Sequence, residues 1–314
     1  MAIRTIFMGT PELARISLHA LLPCPDLQMI AVVTQPDRPK GRDLKLTPSP
    51  VKELALRSNL PVLQPERARN EEFIKQLRQM QTDLIVVAAF GQILPQTILD
   101  LPRFGCINVH TSLLPKYRGA APIQWAILND EDQTGVTIMK MDAGMDTGSI
   151  LTQESTPIRD DDNAQTLHDR LANIGAQLLI HTIPDYIAAK IAPRPQPAEG
   201  VSYAPKIKKT DGQIDWTQSA RSIWNRIRGL VPWPGAFTHV SSQPQPYLLK
   251  IWEAELSEQS GSSGHVLHVD KSGIVVACGQ KALRILLVQL EGGRRLTAEQ
   301  FLAGHPLKAG QVFC

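Results

Sequence analysis

The alternation of strand-like and helix-like segments over the first two hundred residues most constrains the fold of this chain. Apolar runs typical of strands occur at residues 3–9, 27–34, 83–90 and 105–110, and helix-like segments separate the first three. Residues 83–90, DLIVVAAF, are almost uniformly apolar, as expected of a central parallel strand buried on both faces. This order predicts an α/β fold with a doubly wound, mostly parallel sheet of the Rossmann type. A long helix is predicted over residues 163–189, with Pro184 kinking it or ending a turn within it.

The composition changes after residue 190, where four prolines (193, 195, 197 and 205) fall within fifteen residues. Such a stretch predicts an extended, semi-rigid linker. We therefore expect a first domain at 1–190, a linker at 191–205 and a second domain at 206–314. In the second domain a helix near residues 219–231, with Arg221 and Arg228 off its apolar stripe, precedes short strands and turns. This pattern favours a small, OB-like β-barrel.

The net charge of +3 is distributed unevenly. Residues 206–314 carry 13 Lys and Arg against 8 Asp and Glu, a net charge of +5, whereas residues 1–205 carry 20 against 22, a net charge of −2. A basic second domain hints at a polyanionic partner, although a solvated basic face is the commoner explanation of such a pattern.

Asn108 and His110 lie two residues apart in the strand-like run GCINVH, so their side chains are expected on one face at the carboxyl end of a strand. Ligands of open α/β sheets bind at that edge. An amide that donates to a developing oxyanion beside an imidazole that accepts a proton suits acyl transfer. Taken alone, such a pair is more often satisfied by local backbone groups.

Two further segments are candidates for the same site. In MDAGMDTGS, Asp142 and Asp146 could orient an imidazole, although both also fit ordinary turns. In AAFGQILP, a buried strand breaks at Gly91 and enters a loop in which Ile93 and Leu94 could pack on a flat heterocycle. A plain strand-to-helix turn is the simpler interpretation of this loop.

The segment QPDRPKGRDLKLTPSP contains several prolines and four basic residues, Arg38, Lys40, Arg42 and Lys45. Long loops in compact α/β domains are often functional, and basic side chains on them suit phosphate contacts. On charge alone, a solvated surface loop is equally well supported.

Several classes of function lack their sequence signals. No GxGxxG follows the first strand, and no GxxxxGK[ST], GxSxG or HExxH pattern occurs. The four cysteines are scattered, which argues against a disulfide framework and favours a reducing compartment. No apolar run is long enough for a membrane span, and the amino terminus has no leader pattern, so we expect a cytoplasmic protein.

Taken together and in order, the chain resembles the 10-formyltetrahydrofolate-dependent formyltransferases, and among them the enzymes that formylate methionyl-tRNA. The resemblance rests on FMGTPELA, TQPDRPKGR, PSPVKELA, AAFGQILP, INVHTSLLPKYRGAAPIQWAI, TGVTIMKMDAGMDTGSI and VPWPGAF. It covers nearly the whole chain and is looser after residue 255.

The resemblance implies an activity and a set of residues. It implies transfer of the formyl group of 10-formyltetrahydrofolate to the amine of initiator methionyl-tRNA, without a metal. We expect the protein to be a monomer. The catalytic trio would be Asn108, His110 and Asp146. The folate would be held by Ser112, Leu113, Leu114, Pro115, Phe90, Gly91, Ile93, Leu94 and Asp142. The tRNA would be contacted by the four basic loop residues Arg38, Lys40, Arg42 and Lys45 and by Lys206, Lys208 and Lys209.

Three alternatives stay open at the level of sequence. A formyltransferase that acts on a small amine, such as an amino sugar or a purine precursor, would leave the basic second domain without a purpose. A hydrolase would use water as the acceptor of the formyl group. A nucleic-acid-binding module with a silent α/β half would not need Asn108, His110 and Asp146.

Overall fold

A computed structural model describes residues 2–40, 45–241 and 245–314. Its helices are α1 (Glu12–Leu21), α2 (Pro50–Arg57), α3 (Glu71–Gln79), α4 (Gln96–Leu99), α5 (Pro122–Leu128), α6 (Ala164–Ile187), α7 (Ala220–Gly229) and α8 (Ala298–Gly304), with a 3₁₀ turn at Lys209–Gly212. The strands of the first two hundred residues are β1 (Ile3–Gly9), β2 (Leu27–Val33), β3 (Arg38–Lys40), β4 (Lys45–Thr47), β5 (Val62–Leu63), β6 (Leu84–Ala88), β7 (Cys106–His110), β8 (Arg118–Gly119), β9 (Gln133–Lys140) and β10 (Ile150–Pro157). The later strands are β11 (Tyr203–Ala204), β12 (Ala236–Val240), β13 (Tyr247–Ser257), β14 (Val266–Asp270), β15 (Gly273–Ala277), β16 (Ala282–Leu290) and β17 (Arg295–Thr297).

The chain forms two compact units. The first contains residues 1–122, 133–157 and 168–204, and the second contains residues 123–132, 158–167 and 205–314. Each unit has its own apolar core.

The first unit is built on a seven-stranded sheet with the order β10-β9-β7-β6-β1-β2-β5. Strands β7, β6, β1, β2 and β5 run parallel to one another. Strand β9 is antiparallel to β7, and β10 is antiparallel to β9. Strand β6 is buried along its whole length, as its apolar sequence requires. The predicted mostly parallel α/β sheet is confirmed.

The local sequence determines where β1 ends and where α2 begins. At the end of β1, a Cβ on Gly9 would lie 2.6 Å from Cβ of Ala14 and 2.8 Å from the carbonyl oxygen of Ala88, so the turn into α1 has room for glycine alone. Helix α2 begins at Pro50 behind Ser49, whose hydroxyl accepts a hydrogen bond from the backbone N–H of Lys52 at 3.1 Å. A proline in the first turn after a serine cap is a standard helix start.

The proline-rich segment is hydrogen-bonded to the rest of the first unit at several positions. Arg194 and Ile150 exchange backbone hydrogen bonds of 2.9 and 2.8 Å. Further along, β11 pairs in parallel with β8. Arg194 and the residues from Ser202 to Ala204 therefore have defined partners in this unit, whereas the composition alone indicated an extended spacer.

The second unit is an antiparallel barrel. Its strand order is β12-β13-β16-β15-β14, with β17 added to β16. The segment ending in Phe313 closes the sheet, because Phe313 pairs with Val240 of β12 while Val312 pairs with His265 just before β14. Inside the barrel, the indole N–H of Trp216 donates to the hydroxyl of Thr238 at 2.9 Å. The predicted small barrel is confirmed.

Helix α6 contains a proline, and helix α7 contains a buried arginine. Helix α6 continues past Pro184 to Ile187, and the carbonyl of Pro184 accepts a hydrogen bond from the backbone N–H of Ala188 at 3.0 Å. The prediction that Arg228 points away from the buried face of α7 is wrong, because this residue is only 7% exposed. Its guanidinium donates to the carbonyl of Arg159 at 2.8 Å and lies 4.2 Å from the ring of Trp224, so hydrogen bonds and the aromatic ring replace its water.

None of the helices in the described parts of the chain is both long enough and apolar enough to cross a bilayer.

Candidate functional site

Asn108 and His110 project from β7 at the carboxyl edge of the parallel strands. Asn108 pairs with Val87 of β6, so the loops that follow β6 and β7 leave the sheet side by side. His110 is buried, with 5% of its surface exposed. Asn108 is partly exposed, and its side-chain amide makes no hydrogen bond to residues 2–40, 45–241 or 245–314. An unpaired amide beside a buried imidazole leaves a donor for a ligand oxygen.

The imidazole of His110 is held by the chain that follows it. Nε2 lies 3.0 Å from the carbonyl oxygen of Tyr117. Because a carbonyl oxygen can only accept, Nε2 carries the proton in the neutral ring and Nδ1 is the basic nitrogen. Burial lowers the pKa of His110 below its usual value of 6.5, while Asp146 and the Tyr117 carbonyl act in the opposite direction. The neutral ring, which can accept a proton, is thus favoured near pH 7.

The loop that follows β9 places Asp146 beside His110. Strand β9 is antiparallel to β7, so it ends beside Cys106, at the opposite end of β7 from His110. The loop after β9 therefore folds back along β7, and Oδ2 of Asp146 lies 3.7 Å from Nδ1 of His110. The same oxygen accepts a hydrogen bond from the backbone N–H of Gly119 at 2.8 Å. The three residues of the predicted catalytic trio thus fall in one place.

The stretch Ser112–Pro115 is tied to the protein interior through Thr137, which the sequence analysis did not single out. The hydroxyl of Thr137 donates to the carbonyl of Ser112 at 2.7 Å and accepts from the N–H of Leu114 at 3.1 Å. The Gln153 amide donates to the Leu114 carbonyl and to the Thr137 hydroxyl, each at 2.9 Å. Since Thr137 faces His110 across β7 and β9, its place in the site follows from strand register alone.

Side-chain exposure divides Ser112–Pro115 into two pairs. Ser112 and Leu114 are buried, whereas Leu113 and Pro115 are partly exposed. The side chains that could touch a ligand in this stretch are therefore those of Leu113 and Pro115.

The loop after β6 has an unusual backbone. Ala89 and Gly91 both have positive φ angles, of 43° and 81°. The carbonyl of Phe90 between them accepts hydrogen bonds from Oγ1 of Thr10 at 3.2 Å and from Nε2 of Gln35 at 3.1 Å. Phe90 and Leu94 are buried, whereas Ile93 is 88% exposed. A large apolar side chain that faces solvent on a fixed loop suits contact with a flat apolar ligand.

Asp142 begins the loop that carries Asp146. Its carboxylate accepts hydrogen bonds from the N–H of Gly144 at 3.1 Å and from the Thr147 hydroxyl at 2.7 Å. Asp142 also lines a cavity of about 380 Å³ together with Leu99, Gly105 and Met141. Met141 packs against the apolar cluster that includes Phe90 and Leu94, so residues of both predicted heterocycle-binding loops contribute to one core.

The predicted basic contacts fall in two parts of the chain. Arg38 and Lys40 lie on β3, which pairs with β4, where Lys45 lies. Arg42 is outside the described residues, and the side chains of Lys40 and Lys45 are not described. In the second unit, Lys206, Lys208 and Lys209 are exposed.

Known protein families match both halves of the chain. The family described as formyl transferase matches residues 4–183, and the family described as formyl transferase, C-terminal domain, matches residues 206–306.

Two relatives that match over nearly their full length are both named methionyl-tRNA formyltransferase. The methionyl-tRNA formyltransferase of Citrifermentans bemidjiense is 48% identical over 98% of this chain and 95% of its own length. The methionyl-tRNA formyltransferase of Caldanaerobacter subterraneus subsp. tengcongensis is 50% identical over 98% of this chain and 99% of its own.

Solved structures share the fold at low identity. The sugar 3N-formyl transferase WlaRD, solved in the presence of dTDP and 5-N-formyl-THF, superposes with a TM-score of 0.67 at 21% identity. The superposition covers 91% of this chain and 98% of that one.

Proposed function

Because this chain belongs to the formyl transferase family, we propose that it transfers the formyl group of 10-formyltetrahydrofolate to the amino group of methionyl-tRNA. Methionyl-tRNA is proposed as the acceptor because the chain is 48–50% identical, over nearly its whole length, to relatives named for that reaction. The product is N-formylmethionyl-tRNA, and we propose that the initiator tRNA is the one selected. The reaction would serve the start of translation.

The residues of the site fit the bound formyl donor. The folate supplies a formyl group already activated on nitrogen, so the chain has to bind it, orient it and move one proton. Among the residues that the structure describes, the Asn108 amide at the carboxyl edge of the sheet has no hydrogen-bond partner, and Ile93 offers an exposed apolar side chain on an anchored loop. We assign the folate to this edge, with contacts from Phe90, Gly91, Ile93, Leu94, Leu113, Pro115 and Asp142, while Ser112 and Leu114 keep the cradle in shape.

Asn108 would act on the formyl oxygen. As the amine nitrogen bonds to the formyl carbon, negative charge builds up on that oxygen, and the Asn108 N–H can donate to it. A donor aimed at developing charge lowers the barrier without stabilising the ground state equally.

His110 would act on the proton that the amine loses. Its Nδ1 accepts the proton, and the carboxylate of Asp146, 3.7 Å away, stabilises the imidazolium that results. The bond between the formyl carbon and the folate nitrogen then breaks, and that nitrogen takes up a proton. His110 can return the proton it accepted, so the site ends the reaction as it began.

The basic residues would hold the tRNA. We propose that phosphates of the tRNA contact Lys206, Lys208 and Lys209 at the start of the barrel domain. The loop that bears Arg38, Lys40, Arg42 and Lys45 would contact the acceptor end. Domains at 1–190 and 206–314, joined by a linker at 191–205, a monomeric state and a cytoplasmic location remain part of the proposal.

The test is a competition among acceptors. Radiolabelled 10-formyltetrahydrofolate is offered together with charged initiator tRNA, charged elongator tRNA or an amino-sugar nucleotide, and label is followed in each product. Label in the initiator tRNA alone is expected. Label in the amino sugar, or release of free formate alone, would overturn the proposed acceptor while leaving the trio to be tested separately.

A further inference from the structure

Gln196, in the proline-rich segment, has every hydrogen-bonding position of its amide occupied around the Asp146 loop. Its Nε2 donates to the carbonyl of Asp146 at 2.7 Å and to the carbonyl of Gly148 at 2.8 Å. Its Oε1 accepts from Nη2 and Nε of Arg118, at 2.7 and 3.1 Å. One amide thus fastens the backbone on both sides of Thr147.

The backbone of Asp146 needs such a restraint. Its φ angle is +54°, in the left-handed region that a side chain with a Cβ disfavours. A residue in this region stays there when its surroundings leave it no alternative. The two carbonyl bonds from Gln196 are contacts of that kind.

Arg118 and Gly119 restrain the same aspartate from its other side. Arg118 orients the Gln196 amide through two N–H···O bonds that converge on Oε1, and the next residue, Gly119, donates its backbone N–H to the Asp146 carboxylate. Both belong to β8, which is fixed because the N–H of Arg118 donates to the carbonyl of Ser202 at 2.9 Å. The proline-rich segment therefore reaches the aspartate through Gln196 and reaches β8 through Ser202.

We propose that Gln196, oriented by Arg118, is a positioning residue for formyl transfer that fixes the Asp146 backbone so that its carboxylate faces Nδ1 of His110. The assignment rests on the proposed function in naming the reaction. The geometric coupling between Gln196 and His110 can be tested whether or not the proposed function is correct. Gln196 itself needs no contact with either substrate.

Gln196→Met tests this role, because methionine has nearly the same length and retains none of the four hydrogen bonds. Released from Gln196, Asp146 can leave the left-handed conformation and move its carboxylate from His110. Misplacement of a catalytic group by about 1 Å can cost on the order of 100-fold in rate. We expect kcat to fall by roughly 10- to 100-fold, with the KM values for folate and tRNA changed by less than about threefold.

A second readout separates positioning from general damage. Asp146 is the charged group that raises the pKa of His110, so its displacement lowers that pKa. The pKa of His110 is measured by NMR titration of protein with labelled histidine, with the His110 signal assigned from a His110→Gln spectrum. In Gln196→Met it is expected to move down, towards the value measured in Asp146→Asn.

Controls make each outcome decisive. Gln218→Met is the matched control, because Gln218 is exposed and its amide bonds to Asp215 in the other unit. It is expected to leave kcat and the His110 pKa unchanged. If Gln196→Met does not fold, Gln196→Asn, too short to keep all four bonds, takes its place. A His110 pKa equal to that of wild type in a folded Gln196 variant overturns the proposal. If wild type formylates no tRNA, the proposed function fails, yet the pKa comparison still decides the coupling.

Discussion

The side chain of His110 and the main chain of Tyr117 are joined by a hydrogen bond of 3.0 Å in which Nε2 donates to the carbonyl oxygen. Tyr117 lies seven positions after His110 in the sequence and has a positive φ angle of 61°. The turn between them thus determines which nitrogen of the ring is basic. Because Nε2 is used, Nδ1 is left to accept a proton, and it is Nδ1 that faces Asp146.

Replacing Asn108 with Ala is expected to lower kcat by about 100- to 1000-fold, the usual effect of removing one donor to a developing oxyanion. The KM values should change little, because the donor acts chiefly on the transition state. Steady-state formyl transfer to charged tRNA measures both constants. Asn173→Ala on the exposed face of α6 is the control, since its amide donates to a helix carbonyl at 2.8 Å. An Asn108 variant as active as that control would remove Asn108 from the catalytic trio.

Replacing Asp146 with Asn is expected to lower the pKa of His110 further. Burial already depresses this pKa, and Asp146 opposes the depression, so neutralising the carboxylate leaves burial less opposed. An NMR titration should show the His110 transition at lower pH in the variant than in wild type. A transition at higher pH would mean that Asp146 does not act on His110 as a negative charge.

The stability of the folded chain should fall as the pH decreases from about 6.5 towards the depressed pKa of His110. In this window the unfolded chain binds a proton at residue 110 that the folded chain does not, so protonation favours unfolding. The slope from this one group is at most about 1.4 kcal/mol per pH unit. The free energy of unfolding in urea is measured at several pH values for wild type and for His110→Gln. The difference between their slopes against pH is the contribution of His110. Equal slopes in the two proteins would contradict a depressed pKa.

The sequence predicted the parallel sheet and the elements that carry the candidate site because those signals are local. The run that forms β6 is apolar on both faces, which by itself predicts a strand buried on both sides. Asn108 and His110 lie two residues apart in one strand, so their side chains share a face whichever strands pair with it. Strand β12, helix α8 and the closing pairs of the barrel were not predicted, since they depend on contacts between distant residues.

The same limit explains what was missed in the site. Thr137 and Gln196 are ordinary polar residues in sequence, and their importance appears when β9 pairs antiparallel to β7 and the proline-rich segment lies against β8. Arg228 was misplaced because a charged residue on a helix is normally exposed, whereas here carbonyl oxygens and Trp224 surround it.

Replacing Thr137 with Val should destabilise the protein and disturb folate binding together. Valine has nearly the same shape but leaves the Leu114 N–H and the Ser112 carbonyl without their partner, at about 1–3 kcal/mol for each buried group. Urea unfolding should show a loss of at least about 2 kcal/mol, and the KM for 10-formyltetrahydrofolate should rise. Thr5→Val is the matched control, because that buried hydroxyl makes one local bond to the carbonyl of Ile3. An equal loss in the two variants, with an unchanged KM, would show that Thr137 does not shape the folate cradle.

Removing the charges of Lys206 and Lys208 together should raise the KM for tRNA and weaken its dependence on salt. Each contact between a lysine and a phosphate releases counterions, so each lost contact lowers the slope of log KM against log salt concentration by roughly one. The KM is measured between low and physiological KCl for wild type, for the double Ala variant, and for Arg69→Ala with Lys75→Ala, which removes two exposed charges from the other unit. The Lys206 and Lys208 variant should lose slope while kcat at saturating tRNA stays near wild type. If instead it keeps the slope of wild type, these lysines are solvated surface residues and the tRNA phosphates are held elsewhere.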